Sequence, residues 1–161
     1  MQLKAPEGST TVNNSIVKLD RSIEILLVED NPGDARLTQE AIREAQMRNN
    51  LNWVLDGVEA LTFLRKEGKH KQAPRPDLIL LDLNLPRKDG REVLAEIKND
   101  EQLKRIPVIV LTTSEADEDI SRAYRLKANC YIAKPPQLNQ LVTIVKNIEE
   151  FWFRVARLPA E

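Results

Sequence analysis

A single cysteine, Cys130, stands in 161 residues, so no disulfide framework forms within the chain and the fold must rest on an apolar core. A lone thiol fits a reducing cytoplasm, and within its apolar run Cys130 reads as a small core residue rather than a redox centre. An excess of one charge is also missing. With 24 basic and 25 acidic residues the net charge is −1, which supplies no whole-chain field for nucleic acid or for an anionic membrane. No apolar run approaches the ~20 residues that span a bilayer. The first residues lack a charged start ahead of an apolar stretch, so they do not form a secretory signal. No segment repeats at a period of about 20–50 residues, which excludes a solenoid.

What the chain does contain is short apolar runs alternating with helical periodicity. Leu78-Ile79-Leu80-Leu81, Ile23–Val28, Val108-Ile109-Val110-Leu111 and Cys130–Ala133 read as strands of a parallel sheet, and Asn52–Leu55 as a shorter one. Helices are predicted from Ala35 to about Arg48, Val58 to about Glu67, through Val93, Leu94 and Ile97, from Ala116 to Lys127, and from Leu138 to Val155. Five strands alternating with five helices predict an α/β fold built on a doubly wound, five-stranded parallel sheet. One domain over residues 23–155 is expected, with a mobile tail at 1–22 and a C-terminal tail at 156–161. Between the second helix and the central strand lies a polar, basic, Pro-broken loop, Gly68–Pro76. It reads as solvated surface, and His70 within it as a solvated side chain rather than a phosphotransfer group.

Four of the five strands deliver a polar group to the same edge: Glu29-Asp30, Asp82, Thr112-Thr113 and Lys134. Open α/β sheets place their ligand crevices at this carboxyl edge. Several carboxylates gathered there repel one another unless a cation sits among them. An all-oxygen set with few protein ligands suits Mg²⁺, which keeps waters and shares its positions with phosphate. An Asp can attack phosphorus to form an acyl phosphate, and Lys134, Thr112 and Mg²⁺ would meet the charge that develops on the phosphoryl oxygens.

The ordered set Glu29-Asp30, Asp82, Thr112, Tyr131 and Lys134-Pro135 resembles the receiver domain of two-component response regulators, over about Glu24 to Glu149. The resemblance implies the flavodoxin-like receiver fold, with Asp82 as phosphoacceptor. It makes Asp30 a direct Mg²⁺ ligand, Glu29 a ligand through water and the backbone carbonyl of Asn84 the remaining protein ligand. Lys134 would bind a phosphoryl oxygen, Thr112 would move toward the phosphoryl group, and Tyr131 would swing inward behind it. The Lys134–Pro135 bond is expected to be cis. Glu29-Asp30-Asn31-Pro32, the basic loop 66–75, Leu111-Thr112-Thr113-Ser114 and Glu149-Glu150-Phe151-Trp152 are similar to the stand-alone receivers that serve phytochrome kinases. The partner implied is therefore a sensor histidine kinase of phytochrome type, in the cytoplasm, with no nucleic acid and no membrane. A dozen residues beyond Glu149, where the resemblance ends, leave no room for an output domain, so output would be relay or protein contact. The alternative is a Mg²⁺-dependent phosphohydrolase with an Asp nucleophile. Those enzymes place a general-acid Asp two residues on, where this chain has Asn84, which has no such proton to give.

The last helix carries more apolar surface than a core-facing helix needs. Leu138, Leu141, Val142, Val145, Glu149 and Trp152 share one side at 100° per residue, and Ile144, Ile148, Phe151 and Val155 widen the arc to about 180°. The surplus predicts a homodimer joined through this helix.

Overall fold

The structure, a computed structural model, describes residues 22–159. The tail expected at 1–22, apart from Ser22, lies outside the described residues, as do the last two positions. The elements in order are β1 (Ile23–Val28), α1 (Pro32–Glu44), β2 (Asn49–Val54), α2 (Gly57–Leu64), β3 (Leu78–Leu81), α3 (Gly90–Asn99), β4 (Val108–Thr112), α4 (Asp117–Arg125), β5 (Cys130–Ala133) and α5 (Leu138–Glu149). A single 3₁₀ turn covers Gly68–His70, and a π-helical segment, Glu150–Val155, continues α5.

All strand pairs are parallel, in the order β2-β1-β3-β4-β5. The expected doubly wound sheet is present. Its direction of winding reverses between β1 and β3, which opens the crevice at their carboxyl ends. Every residue of β3 and β4 is buried, as continuous apolar runs in a two-faced sheet must be. Side chains alternate between the layers. Leu26, Val28, Ile79 and Leu81 pack with α2 and α3, while Ile25, Leu27, Leu78 and Leu80 pack with α1 and α5.

Three helices start on side-chain caps that follow strand ends. Asn31 Oδ1 accepts from the Asp34 amide at 3.1 Å ahead of Pro32, Asp56 Oδ1 from Glu59 at 2.8 Å, and Asp89 Oδ1 from Arg91 at 2.8 Å. Gly90, first in α3, lies so close to the end of β3 that a Cβ there would sit 2.2 Å from the Asp82 carbonyl oxygen. That approach clamps the segment after Asp82 against α3.

Three helices stop earlier than their sequence pattern predicts. Helix α1 ends at Glu44 rather than Arg48, α2 at Leu64 rather than Glu67, and α4 at Arg125 rather than Lys127. In each case a residue with positive φ breaks the helix: Gln46 at 57°, Lys66 at 56° and Lys127 at 69°. After α2 the Glu67 amide reaches the Thr62 carbonyl at 3.0 Å and the Lys66 amide reaches Phe63 at 3.1 Å. After α4 the Ala128 amide reaches Ala123 at 3.0 Å and the Lys127 amide reaches Tyr124 at 2.9 Å. Both are Schellman closures, with lysine in the place glycine usually takes. Strand β2 correspondingly begins at Asn49, three residues before the predicted start, in register with Ile23.

The C-terminal segment departs most. The wider π turn, closed by the Ala156 amide on the Phe151 carbonyl at 2.7 Å, advances five residues from Ile148 to bring Phe153 inward. Both side chains are buried in the α1–α5 layer. Ile148 therefore belongs to the core and not to the outward stripe. Ile144 and Trp152 lean on the same cluster, and the exposed remainder of the stripe is Phe151 and Val155, 54% and 67% exposed.

Candidate functional site

The crevice gathers five of the expected side chains. Glu29 and Asp30 follow β1, Asp82 follows β3, Thr112 ends β4 and Lys134 follows β5. Asp82 is 7% exposed, and each of its oxygens is held. Oδ1 accepts from the Thr112 hydroxyl at 3.0 Å and the Asn84 amide at 3.0 Å, while Oδ2 accepts from Lys134 Nζ at 2.8 Å. Lys134 also donates to Glu29 Oε2 and, at 3.3 Å, to Asp34 Oδ2. The other oxygen of Glu29 takes the Asn31 amide at 3.1 Å.

Three carboxylates, those of Glu29, Asp34 and Asp82, thus meet one ammonium. Burial and the charge of Asp82 outweigh the Lys134 contact and raise the Glu29 carboxyl above its usual range. Burial works against the charged form of Asp82 as well, but the Lys134 bond and charge prevail and hold its pKa below the ordinary value. Burial opposes the Lys134 ammonium too, and its two acid partners overcome that and raise its pKa. One carboxylate oxygen from each of Glu29, Asp30 and Asp82 lies within 4.8 Å of the others, with Asp30 exposed at the rim. Two buried acids and one open to water fit a small hard dication that keeps part of its hydration.

The Lys134–Pro135 bond is trans, as is every peptide bond among the described residues, so the expected cis bond is corrected. The Lys134 amide donates to the Thr112 carbonyl at 2.7 Å, which extends the β4–β5 ladder by one residue. From that anchored position the side chain reaches Asp82 without the roughly 0.5–1 kcal/mol that a cis X–Pro bond costs.

Tyr131 stands apart from Asp82. Its hydroxyl donates to the Ser114 carbonyl at 2.9 Å and its ring lies against the core. Ser114 in turn donates to Asp119 Oδ2 at 2.6 Å, and Arg91 joins Asp119 Oδ1 at 2.5 Å. The loop after Thr112 is therefore tied to α3, α4 and β5 together. Sequence reasoning missed this Ser114–Asp119–Arg91 chain, because its members are 5 and 28 residues apart and follow no motif. It also missed Asp34, whose place in a turn hid its reach to Lys134. Trp53 is a third omission: its Nε1 donates to the Glu29 carbonyl at 2.8 Å from the neighbouring strand. His70 is not solvated as expected. Its ring meets Phe63 edge-on at 5.2 Å, and Nε2 lies 3.5 Å from Glu59 Oε1.

A family model described as the response regulator receiver domain matches residues 25–146. The chain belongs to the response regulator receiver family. This receiver is 51% identical over 136 residues to the response regulator Rcp1 of Synechocystis sp., a match covering 84% of the chain and 92% of that protein. It is similar to the crystal structure of the phosphorylated cyanobacterial phytochrome response regulator RcpA, with 57% identity, a TM-score of 0.81 and coverage of 86% and 99% of the two chains. The Mn²⁺-bound form of Rcp1 matches with 50% identity and a TM-score of 0.79, over 86% of this chain and 99% of that one. The kin of this receiver thus include a phytochrome response regulator, RcpA, and a response regulator solved with a divalent metal, Rcp1. No helix among the described residues is long and apolar enough to cross a membrane.

Proposed function

We propose that this receiver accepts a phosphoryl group on Asp82 from the phosphohistidine of a sensor histidine kinase, of phytochrome type, and signals through protein contacts that depend on the phosphate. One observation carries the reading: the two side-chain donors on Asp82, the Lys134 ammonium and the Thr112 hydroxyl, are the groups that phosphoryl oxygens need once they arrive. A carboxylate oxygen of Asp82 forms the O–P bond as the P–N bond breaks. The bonding pair passes to the imidazole nitrogen, which takes a proton from water. Lys134 then turns from carboxylate to phosphoryl oxygen, and Thr112 follows it. As Thr112 leaves Oδ1, the loop to Ser114 shifts and Tyr131 loses the carbonyl that holds its hydroxyl, so β4–α4 and β5 report the change.

Glu29, Asp30, Asp82 and the backbone carbonyl of Asn84 would hold Mg²⁺, which when bound would supply positive charge against the gathered carboxylates and the transferring phosphoryl group. The phosphohydrolase alternative gains no support, because Asn84 holds Asp82 through its amide and offers no general acid. The proposed receiver unit spans 23–155. Its compartment is the cytoplasm, where a kinase phosphohistidine is within reach. A second copy would dock on the exposed end of α5, where Phe151 meets Trp152 edge-on at 5.4 Å; aromatics are frequent interface anchors.

The test is labelling by phytochrome-type and unrelated kinases, and by acetyl phosphate with Mg²⁺, read as acid-stable, base-labile acyl phosphate. Asp82→Asn should keep the fold and take no label. Undiminished labelling of that variant overturns the assignment.

A further inference from the structure

Opposite the phosphorylation edge, at the amino ends of β3 and β4, lies a cleft of about 400 Å³ between the end of α2, the approach to β3 and the loop from α3 to β4. Its size is that of a small-molecule site. Two buried leucines, Leu64 and Leu103, line it. Four cations surround them: Arg65, Lys66, Arg75 and Arg105. Only Arg65 has a partner, Glu96 at 3.1 Å. Lys66, Arg75 and Arg105 make no ion pair among the described residues. The one acid of the lining, Asp100, commits Oδ1 to the amides of Gln102 and Leu103, at 2.8 and 3.2 Å.

The cations are mounted on stiff backbone. Lys66 is the left-handed residue that closes α2. Arg75 stands between Pro74 and Pro76, which restrict the chain on both sides. Arg105 is flanked by the carbonyls of Lys104 and Ile106, and both accept from the buried Lys98 ammonium, at 3.1 and 3.0 Å. The same ammonium reaches Asn129 Oδ1 at 2.9 Å, which also receives the Val108 amide at 2.8 Å. A buried lysine without a carboxylate partner thus fixes the segment that carries Arg105.

We propose that this cleft binds a nucleoside diphosphate or a ligand of that class. Guanidinium groups present paired donors that match phosphate oxygens, and the restricted backbone at Arg75 and Arg105 lowers the main-chain part of the ordering cost. Leu64 and Leu103 offer an apolar seat for a base, and the Asp100 carboxylate offers an acceptor for ribose hydroxyls or a base amino group. A carboxylate in the lining and the concave form both disfavour an acidic protein segment, which would favour a broad cationic face. The site is remote from Asp82: the four residues of β3 separate the two ends of the sheet by roughly 13 Å.

Calorimetric titration of the full chain with ADP, at low salt and with a chelator present to keep divalent ions from the acidic crevice, tests this. One site per chain is expected. Arg75→Ala and Arg105→Ala should each weaken ADP at least tenfold, adenosine or pyrophosphate alone should bind at least tenfold more weakly, and the Leu64 and Leu103 amides should shift in NMR spectra. Asp82→Asn, which fails to label if the proposed function holds, should bind ADP as the native chain does, so the two readings stand or fall separately. Absence of binding at millimolar ADP overturns the proposal, as does affinity unchanged in both arginine variants. Pyrophosphate binding as tightly as ADP removes the nucleoside and overturns the class. A poly-glutamate peptide that displaces ADP with higher affinity reassigns the cleft to protein docking.

Discussion

Replacing Lys134 by Met isolates what the ammonium does for the crevice before any phosphate arrives. Methionine keeps an unbranched chain of similar bulk, so packing changes little while the charge goes. In the native chain the Lys134 side chain is 10% exposed, against 2% and 9% for the side chains alone of Glu29 and Asp82. Removing one partner from a buried ion pair costs about 3–5 kcal/mol. Here the loss should sit near the lower end, about 3 kcal/mol, because Asp82 retains the Thr112 hydroxyl and Asn84 amide, and Glu29 retains the Asn31 amide. Domains of this size hold about 5–15 kcal/mol, so the variant should still fold. Mg²⁺ takes over the missing charge, and ligation at one hundred times Kd returns about 2.7 kcal/mol. Its affinity should also rise, since no ammonium competes for the carboxylates. Urea unfolding at neutral pH, with a chelator and then with saturating Mg²⁺, reads both effects. A Lys134→Met chain as stable as the native one in chelator would refute the electrostatic account. So would a destabilised variant that Mg²⁺ fails to restore.

Other expectations address the same edge and its supports. Asp30→Ala should lower Mg²⁺ affinity at least tenfold and leave the fold intact; unchanged affinity by titration would show the ligand set is wrong. Gly90→Ala should cost about 1–3 kcal/mol or more in chemical unfolding, because its Cβ would overlap the Asp82 carbonyl, 2.2 Å away. Burial pushes the Lys98 ammonium from its ordinary 10.5 down to about 8. Between those values the unfolded chain holds the extra proton, so stability should rise with pH by up to about 3 kcal/mol. The burial penalty is in full force below pH 8 and relieved above 10.5. Lys98→Met should flatten that part of the profile, and identical native and variant profiles would exclude Lys98 as the source. Phe151→Asp or Val155→Asp should convert a sedimenting dimer into a folded monomer, and a monomeric native chain at tens of micromolar, with and without phosphate, would exclude that interface.

The sheet and the acidic crevice were legible because each rests on a local signal. Buried parallel strands read as unbroken apolar runs, and each of the runs ending in Glu29-Asp30, Asp82, Thr112 and Lys134 hands its last polar residues to one edge. Helix ends were less legible because Gln46, Lys66 and Lys127 adopt the left-handed conformation that glycine or asparagine usually advertises. The end of α5 misled for a different reason. Extrapolating 100° per residue past Glu149 assumes α geometry, whereas the π turn carries Phe153 inward; Ile148 lies within α5 itself, about 20° from Leu141 on the helix, and joins the core face with it. The reach of Asp34 to Lys134 crosses 100 residues of chain, which no local pattern records, and the bond before Pro135 keeps the trans form that X–Pro bonds favour.

The backbone bond between Lys134 and Thr112 has a kinetic consequence. Since the amide of one donor residue rests on the carbonyl of the other at 2.7 Å, the two side chains proposed to meet a phosphate are carried by one hinged unit. Displacement of Thr112 drags the root of Lys134 with it, and the strand bearing Tyr131 follows. The proposed off-to-on transition would then be concerted, and relaxation dispersion at the methyls of Thr112 and Ala133 should report one shared exchange rate.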